Sequence, residues 1–122
     1  MPIYNKIKNS ALPFEVVEAK SFLTRLVGLL GTKRPFAEKV LYIKHCSGIH
    51  TVGMKYPIDV VFLDKNSKVS RLYEFLRPNR LTRIRMKDHG VLEFPPGTIK
   101  NFRISKGDML RIITDKIKLL GD

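Results

Sequence analysis

The chain is short of cysteine, of acid and of long apolar runs. Its 122 residues hold one Cys, and 11 Asp plus Glu against 23 Lys plus Arg. A single thiol excludes an internal disulfide framework, and the absence of C-x-x-C pairs removes the usual ligand set of a structural zinc ribbon or finger. The longest apolar stretch of low charge, Leu26 to Thr32, is far shorter than the ~18 residues of a membrane-crossing helix. From Pro2 to Leu12 there is neither the apolar core nor the small-residue cleavage site of a signal peptide, so a cytoplasmic protein without a membrane span is expected. Repeats and low-complexity linkers are also missing, and one domain over residues 1–122 is expected, with a radius of gyration of roughly 14 Å. A composition of 43% hydrophobic and 28% charged residues excludes disorder and collagen-like structure.

What is present in excess is positive charge. The formal net charge is +12, which bears first on solubility and on non-specific attraction to anions.

Hydrophobic patterning is that of strands. Phe14 to Ala19 is β-branched at Val16 and Val17 and follows Pro13. Short β-like runs then span Val40 to Lys44, Ile58 to Asp64, Val69 to Leu76, Leu81 to Met86, Val91 to Phe94 and Met109 to Thr114. Turn residues separate them, as in Asp64-Lys-Asn-Ser-Lys68, Pro95-Pro96-Gly97 and Lys106-Gly107-Asp108. Such close spacing predicts antiparallel pairing. One helix is expected after an N-cap at Ser21, with Leu23, Leu26 and Leu30 on one side and Gly31 as its stop, and a second helical turn near Thr98 to Phe102. The expected fold is mainly β: an antiparallel barrel or sandwich of about 6 to 8 strands with one or two short helices.

The segment Gly48-Ile-His-Thr-Val-Gly-Met-Lys-Tyr-Pro-Ile-Asp-Val-Val-Phe-Leu-Asp64, with Val91-Leu-Glu-Phe-Pro-Pro-Gly97, Ile104-Ser-Lys-Gly-Asp108, Thr24-Arg25 and Gly28-Leu29, resembles the uncharacterised family 192 of the domains of unknown function. The likeness runs from about Glu15 to Ile112. It implies a compact β-rich domain, often found alone, and brings no established catalytic mechanism. Many relatives read Met-Lys-Asn-Thr where this chain has Met54-Lys55-Tyr56-Pro57, so a role resting on that Asn does not transfer.

Asp59 stands in a strand that is otherwise apolar on both faces, where an isolated carboxylate costs several kcal/mol. Either it clamps loop N–H groups, or it serves as a binding or general-base group at a pocket mouth. Glu93 poses the same question between Leu92 and Phe94. If the two acids converge they form a pair for acid-base work, or a binding site together with His50 and Met54. His45, Cys46 and His50 are the one cluster of ligand-like chemistry, too small for structural zinc. No metal or cofactor is assigned, and the bland alternative has Cys46 and Met54 packing and His50 bonding within its loop. Asp108 reads as a turn acid that bonds nearby backbone.

The charge has a centre. Arg77, Arg80, Arg83, Arg85 and Lys87 occur without an intervening acid, and strand alternation would set Arg83, Arg85 and Lys87 opposite Thr82, Ile84 and Met86. Such a ladder suits either an edge strand protected from pairing or a groove for nucleic-acid phosphates, although no RNP-type aromatic signature accompanies it. Three functions remain open: a small binding or accessory domain with a pocket near His50, Met54, Asp59 and Glu93, non-specific nucleic-acid binding through Arg77 to Lys87, and a hydrolytic or metal-assisted enzyme. The first is the leading expectation.

Overall fold

The computed structural model describes residues 1–18 and 39–113. The helix expected from Ser21 to Gly31 lies outside the described residues, as does Thr114. The described strands are β1 (Ile3–Asn5), β2 (Ser10–Leu12), β3 (Glu15–Glu18), β4 (Lys39–Lys44), β5 (Ile58–Asp64), β6 (Val69–Leu76), β7 (Asp88–Phe94) and β8 (Leu110–Ile112). A one-turn helix, α1 (Thr98–Asn101), joins the last two. Among the described residues no helix is long and apolar enough to cross a membrane.

The strands form two sheets, one ordered β2-β1-β8 and one ordered β3-β4-β7-β5-β6. They pack as a sandwich and do not close into a barrel, so of the two expected architectures the sandwich holds. Pairing is antiparallel throughout except between β3 and β4, which run parallel and make the larger sheet mixed.

Burial explains the centre of the larger sheet. Ile58, Asp59, Val60, Val61, Phe62 and Leu63 of β5 are all buried, which requires cover on both faces. On one face Val61, Leu63, Leu92, Phe94, Val40 and Val16 meet Ile3, Leu12 and Leu110 of the small sheet, with Ile99 and Ile104 closing the end. On the other, Ile58, Val60, Phe62 and Val91 pack with Ile49 and Met54 from the loop after β4. Each fully buried Val, Ile or Phe contributes about 1.5–3 kcal/mol relative to exposure.

The expected strand from Leu81 to Met86 is not formed. This segment follows Ser47 to Thr51: Thr51 N–H donates to the Arg80 carbonyl, Thr82 N–H to Ile49 and Arg85 N–H to Ser47. Between the last two bonds three residues advance on one side and two on the other, which breaks the ladder and leaves a single bridge, His50 to Leu81. Strict alternation is lost with it, and Arg83, Ile84, Met86 and Lys87 all face solvent. The segment is an irregular strap.

The hairpin of β1 and β2 was not expected. Its turn rests on Asn5, whose Oδ1 accepts the N–H groups of Ile7 and Lys8, each at 3.1 Å.

Candidate functional site

Asp59 is fully buried, and its two oxygens have separate tasks. Oδ1 accepts Phe75 N–H at 2.9 Å and Oδ2 accepts Ile99 N–H at 2.8 Å. Phe75 sits in a bulge where β6 carries one more residue than β5 between the pairs Ile58–Leu76 and Val60–Tyr73. Its φ of 55° is left-handed, a region that costs a bulky residue roughly 1–2 kcal/mol. Ile99 belongs to the first turn of α1, whose N-cap position is occupied by Gly97 and supplies no side chain. Asp59 therefore holds a strained bulge and caps a helix from a neighbouring strand, the clamp anticipated for it with partners on different elements.

Glu93 does not meet Asp59. Residues directly opposite in an antiparallel pair share a face. Asp59 pairs with Phe94, whereas Val60 pairs with Glu93 and Glu93 with Leu41. The two carboxylates thus point to opposite faces of the five-stranded sheet, and the convergence that the sequence left open does not occur.

Met54 is buried among Ile49, Ile58 and Val60 on the Glu93 face. The half-buried Cys46 thiol donates to the Gly48 carbonyl at 3.0 Å. The Nδ1 atom of His50 accepts Val52 N–H at 3.3 Å, which leaves the proton of a neutral ring on Nε2. Among the described residues no three His, Cys, Asp or Glu side chains are grouped to hold a metal ion.

A buried polar centre missed from sequence lies on the same face as Glu93. Arg71 pairs across the sheet with Phe62, and its guanidinium lies 3.8 Å from the Phe62 ring centre. Its Nε donates to Asp88 at 2.8 Å, Nη1 to the Tyr73 hydroxyl at 2.9 Å, and Nη2 to the carbonyls of Ser47 at 3.0 Å and Arg83 at 2.6 Å. Asp88 also accepts the Ser70 hydroxyl. The fork geometry of arginine ties β6, β7 and the strap into one unit. The available signal was Arg71 itself, a cation between Val69 and Leu72 in an apolar strand.

A cavity lies elsewhere. A cleft of about 370 Å³ is lined by residues of both sheets, among them the ends of β3 and β4 and strand β8. Among the described residues Lys6, Lys44 and Arg111 line it with one carboxylate, Glu18, beside Tyr42 and apolar Leu63, Met109 and Ile112; Met1 and, from the β5–β6 turn, Asn66 and Ser67 also contribute. Lys44 Nζ stands 3.4 Å from Glu18. Burial, and then the charge of Glu18, raise the Tyr42 pKa above that of a free phenol, so at neutral pH its hydroxyl is a proton donor. The cleft includes none of His50, Met54, Asp59 and Glu93. It is separated from Asp59 by the four residues of β5 that lead to Leu63, about 13 Å of strand.

A second polar cluster ties β1 to the turn that precedes β8. Asp108 Oδ2 accepts Asn5 Nδ2 at 3.0 Å, Lys8 Nζ at 2.9 Å and Ser105 N–H at 2.9 Å. Burial alone would raise its pKa, but these bonds and the Lys8 charge outweigh burial and hold it below the ordinary carboxylate value. Asp108 is thus the expected turn acid, extended by a bond to β1.

The family model described as "Uncharacterized ACR", DUF192, matches residues 3–112. The chain belongs to this family. The chain is also similar to a curated protein, the UPF0127 protein PH1112 of Pyrococcus horikoshii, 30% identical over 115 residues that cover 92% of this chain and 99% of the relative. The fold recurs in a protein of unknown function from Novosphingobium aromaticivorans, with a TM-score of 0.75, 15% identity, and 91% of this chain and 84% of that chain covered. It recurs again in a Sinorhizobium meliloti chain described as "a putative transcription regulator", with a TM-score of 0.73, 17% identity, and coverage of 90% and 89%. At these identities the likeness is one of fold. DUF192 membership fixes the architecture and leaves the function open.

Proposed function

We propose that this DUF192 protein is a small cytoplasmic binding domain that takes an organic anion into the cleft between its sheets. The observation that carries the reading is the cleft: a volume in the range of small-molecule sites, lined among the described residues by apolar side chains and by three cations with one carboxylate. Lys6, Lys44 and Arg111 suit a carboxylate or phosphate ester, the Tyr42 hydroxyl adds a neutral donor, and Leu63 and Ile112 suit the ligand's carbon skeleton. The cytoplasm is proposed because one cysteine allows no internal disulfide. In this reading Asp59 supports the fold, and His50, Met54 and Glu93 lie outside the ligand's reach.

A thermal-shift screen of small carboxylates and phosphate esters tests it. A compound that binds is expected to lose at least ten-fold in affinity in Lys6→Ala/Lys44→Ala, since each charge-assisted hydrogen bond contributes about 1.5–3 kcal/mol, while Glu93→Gln binds as the unaltered protein does. Anion binding that survives the double change, or that is abolished by Glu93→Gln with the fold intact, overturns the assignment.

A further inference from the structure

The strap from Arg77 to Lys87 holds large aliphatic side chains in solvent. Leu81 is 79% exposed, Ile84 74% and Met86 84%. Single exposed apolar residues need no explanation, but three within six positions form a patch. Cations alternate with them: Arg80, Arg83 and Lys87 are exposed. The flanking acids, Glu74 and Asp88, lie outside the strap, and Asp88 is buried against Arg71.

The patch is presented by a fixed backbone. Thr51 Oγ1 donates to the Arg77 carbonyl at 2.7 Å and accepts Arg80 N–H at 2.9 Å. Thr82 Oγ1 accepts Ile49 N–H at 2.9 Å, and Arg71 reaches the Arg83 carbonyl from the core. Gly48 permits the close approach, since a Cβ there would stand 3.1 Å from Ile84 Cγ1 and 3.4 Å from the Arg83 carbonyl oxygen. Buried Arg71 and Thr51 are thus used to fasten a segment whose apolar side chains point into water.

We propose that this strap docks the protein on an anionic phospholipid bilayer, with Leu81, Ile84 and Met86 entering the headgroup layer and Arg80, Arg83 and Lys87 pairing with lipid phosphates and carboxylates. A membrane interface accommodates aliphatic carbon and cations side by side. A nucleic-acid groove does not need the aliphatic side chains: single strands are held by cations with aromatic stacking platforms, and the strap offers Leu, Ile and Met instead. Docking is peripheral and independent of the cleft.

Flotation of the full chain with vesicles tests the proposal, comparing pure phosphatidylcholine with mixtures containing phosphatidylserine. Binding is expected only to the anionic vesicles and is expected to weaken with salt. A cation near such a surface strengthens partition roughly five-fold, so Arg80→Glu/Arg83→Glu should lose at least about 25-fold. Leu81→Ser/Ile84→Ser leaves the charge unchanged and should lose about ten-fold. These side chains are exposed, and unchanged melting temperatures of both variants verify the fold. Absence of binding to anionic vesicles at low salt overturns the proposal, as does vesicle binding by Leu81→Ser/Ile84→Ser equal to the original. Tight duplex or single-stranded DNA binding that depends on Arg80 and Arg83 but not on Leu81 and Ile84, without vesicle binding, assigns the strap to nucleic acid instead.

Discussion

Replacing Asp59 by Asn keeps the shape of the side chain and removes one of its two acceptors. In the native protein Oδ1 and Oδ2 each receive one backbone N–H, from Phe75 and Ile99. An amide presents oxygen to one of these donors and an NH2 group to the other, so one charge-assisted bond, worth about 1.5–3 kcal/mol, is replaced by two donors facing each other at a fully buried position. The remaining bond loses its charge assistance. The expected cost is about 3 kcal/mol, and Asp59→Ala, which leaves both N–H groups unsatisfied and opens a void, should cost about 4–5 kcal/mol. At about 4 °C per kcal/mol the Asn variant melts roughly 12 °C lower. Urea unfolding followed by far-UV circular dichroism measures the difference, and the m-value shows whether the denatured state has changed. If the charge of Asp59 served ligand binding rather than the fold, Asp59→Asn would retain its stability and lose affinity. Stability within 0.5 kcal/mol of the unaltered protein refutes the clamp.

Arg71→Met strands the Asp88 carboxylate in a buried site and is expected to cost about 3–5 kcal/mol. Hydrogen exchange should show the amides of Thr82 and Arg85 losing protection, since the strap's tie to the core goes with the guanidinium. The pKa of Asp108 is lowered in the folded protein, so its stabilising contribution is full above the ordinary carboxylate range and is lost as the pH falls through the folded value. Unfolding free energies measured from pH 6 to pH 2 should show the original chain ahead of Asp108→Asn at pH 6 and the gap closing at the acid end. Gly90→Ala places a Cβ 2.7 Å from Tyr42 Cε1 and 2.9 Å from its hydroxyl. The displaced ring should cost about 1–3 kcal/mol and lower affinity in the cleft, both read by thermal shift with and without ligand.

The β5–β6 hairpin was legible to the residue because period, composition and turn chemistry agree there. Apolar runs flank Asp64, whose Oδ1 accepts the N–H groups of Asn66 and Lys68 within the connection. Strands β1 and β2, three residues each, are too short to show a period. The strap misled for a physical reason: alternating Arg and aliphatic residues have the period of a strand, but one extra residue against Ser47–Thr51 ends the ladder. For Asp59 the need for partners was legible from its apolar setting. Their identity was not, because Phe75 and Ile99 lie 16 and 40 residues away. The cleft was invisible for the same reason, its lining being drawn from both ends of the chain and from the β5–β6 turn.

The residues that carry the family likeness and those that carry the proposed functions are largely different. Within the quoted motifs, Gly48 admits the strap, Asp59 clamps the bulge and α1, Met54 fills the face behind the sheet, and Asp108 ties β1 to the turn before β8. Of the residues lining the cleft only Leu63 falls inside a motif, and the strap from Arg77 to Lys87 contains none. The motifs therefore specify a framework, and the framework holds two surfaces whose chemistry it does not dictate. Eight of the 23 cations, Lys6, Lys44, Arg111 and the five of the strap, lie on those surfaces. Among the described residues the buried cation is Arg71, matched by Asp88, whereas Lys44 meets Glu18 in an exposed pair that adds little to stability. If the two proposed surfaces bind anions, replacing cleft or strap cations alters binding while leaving the melting temperature nearly unchanged.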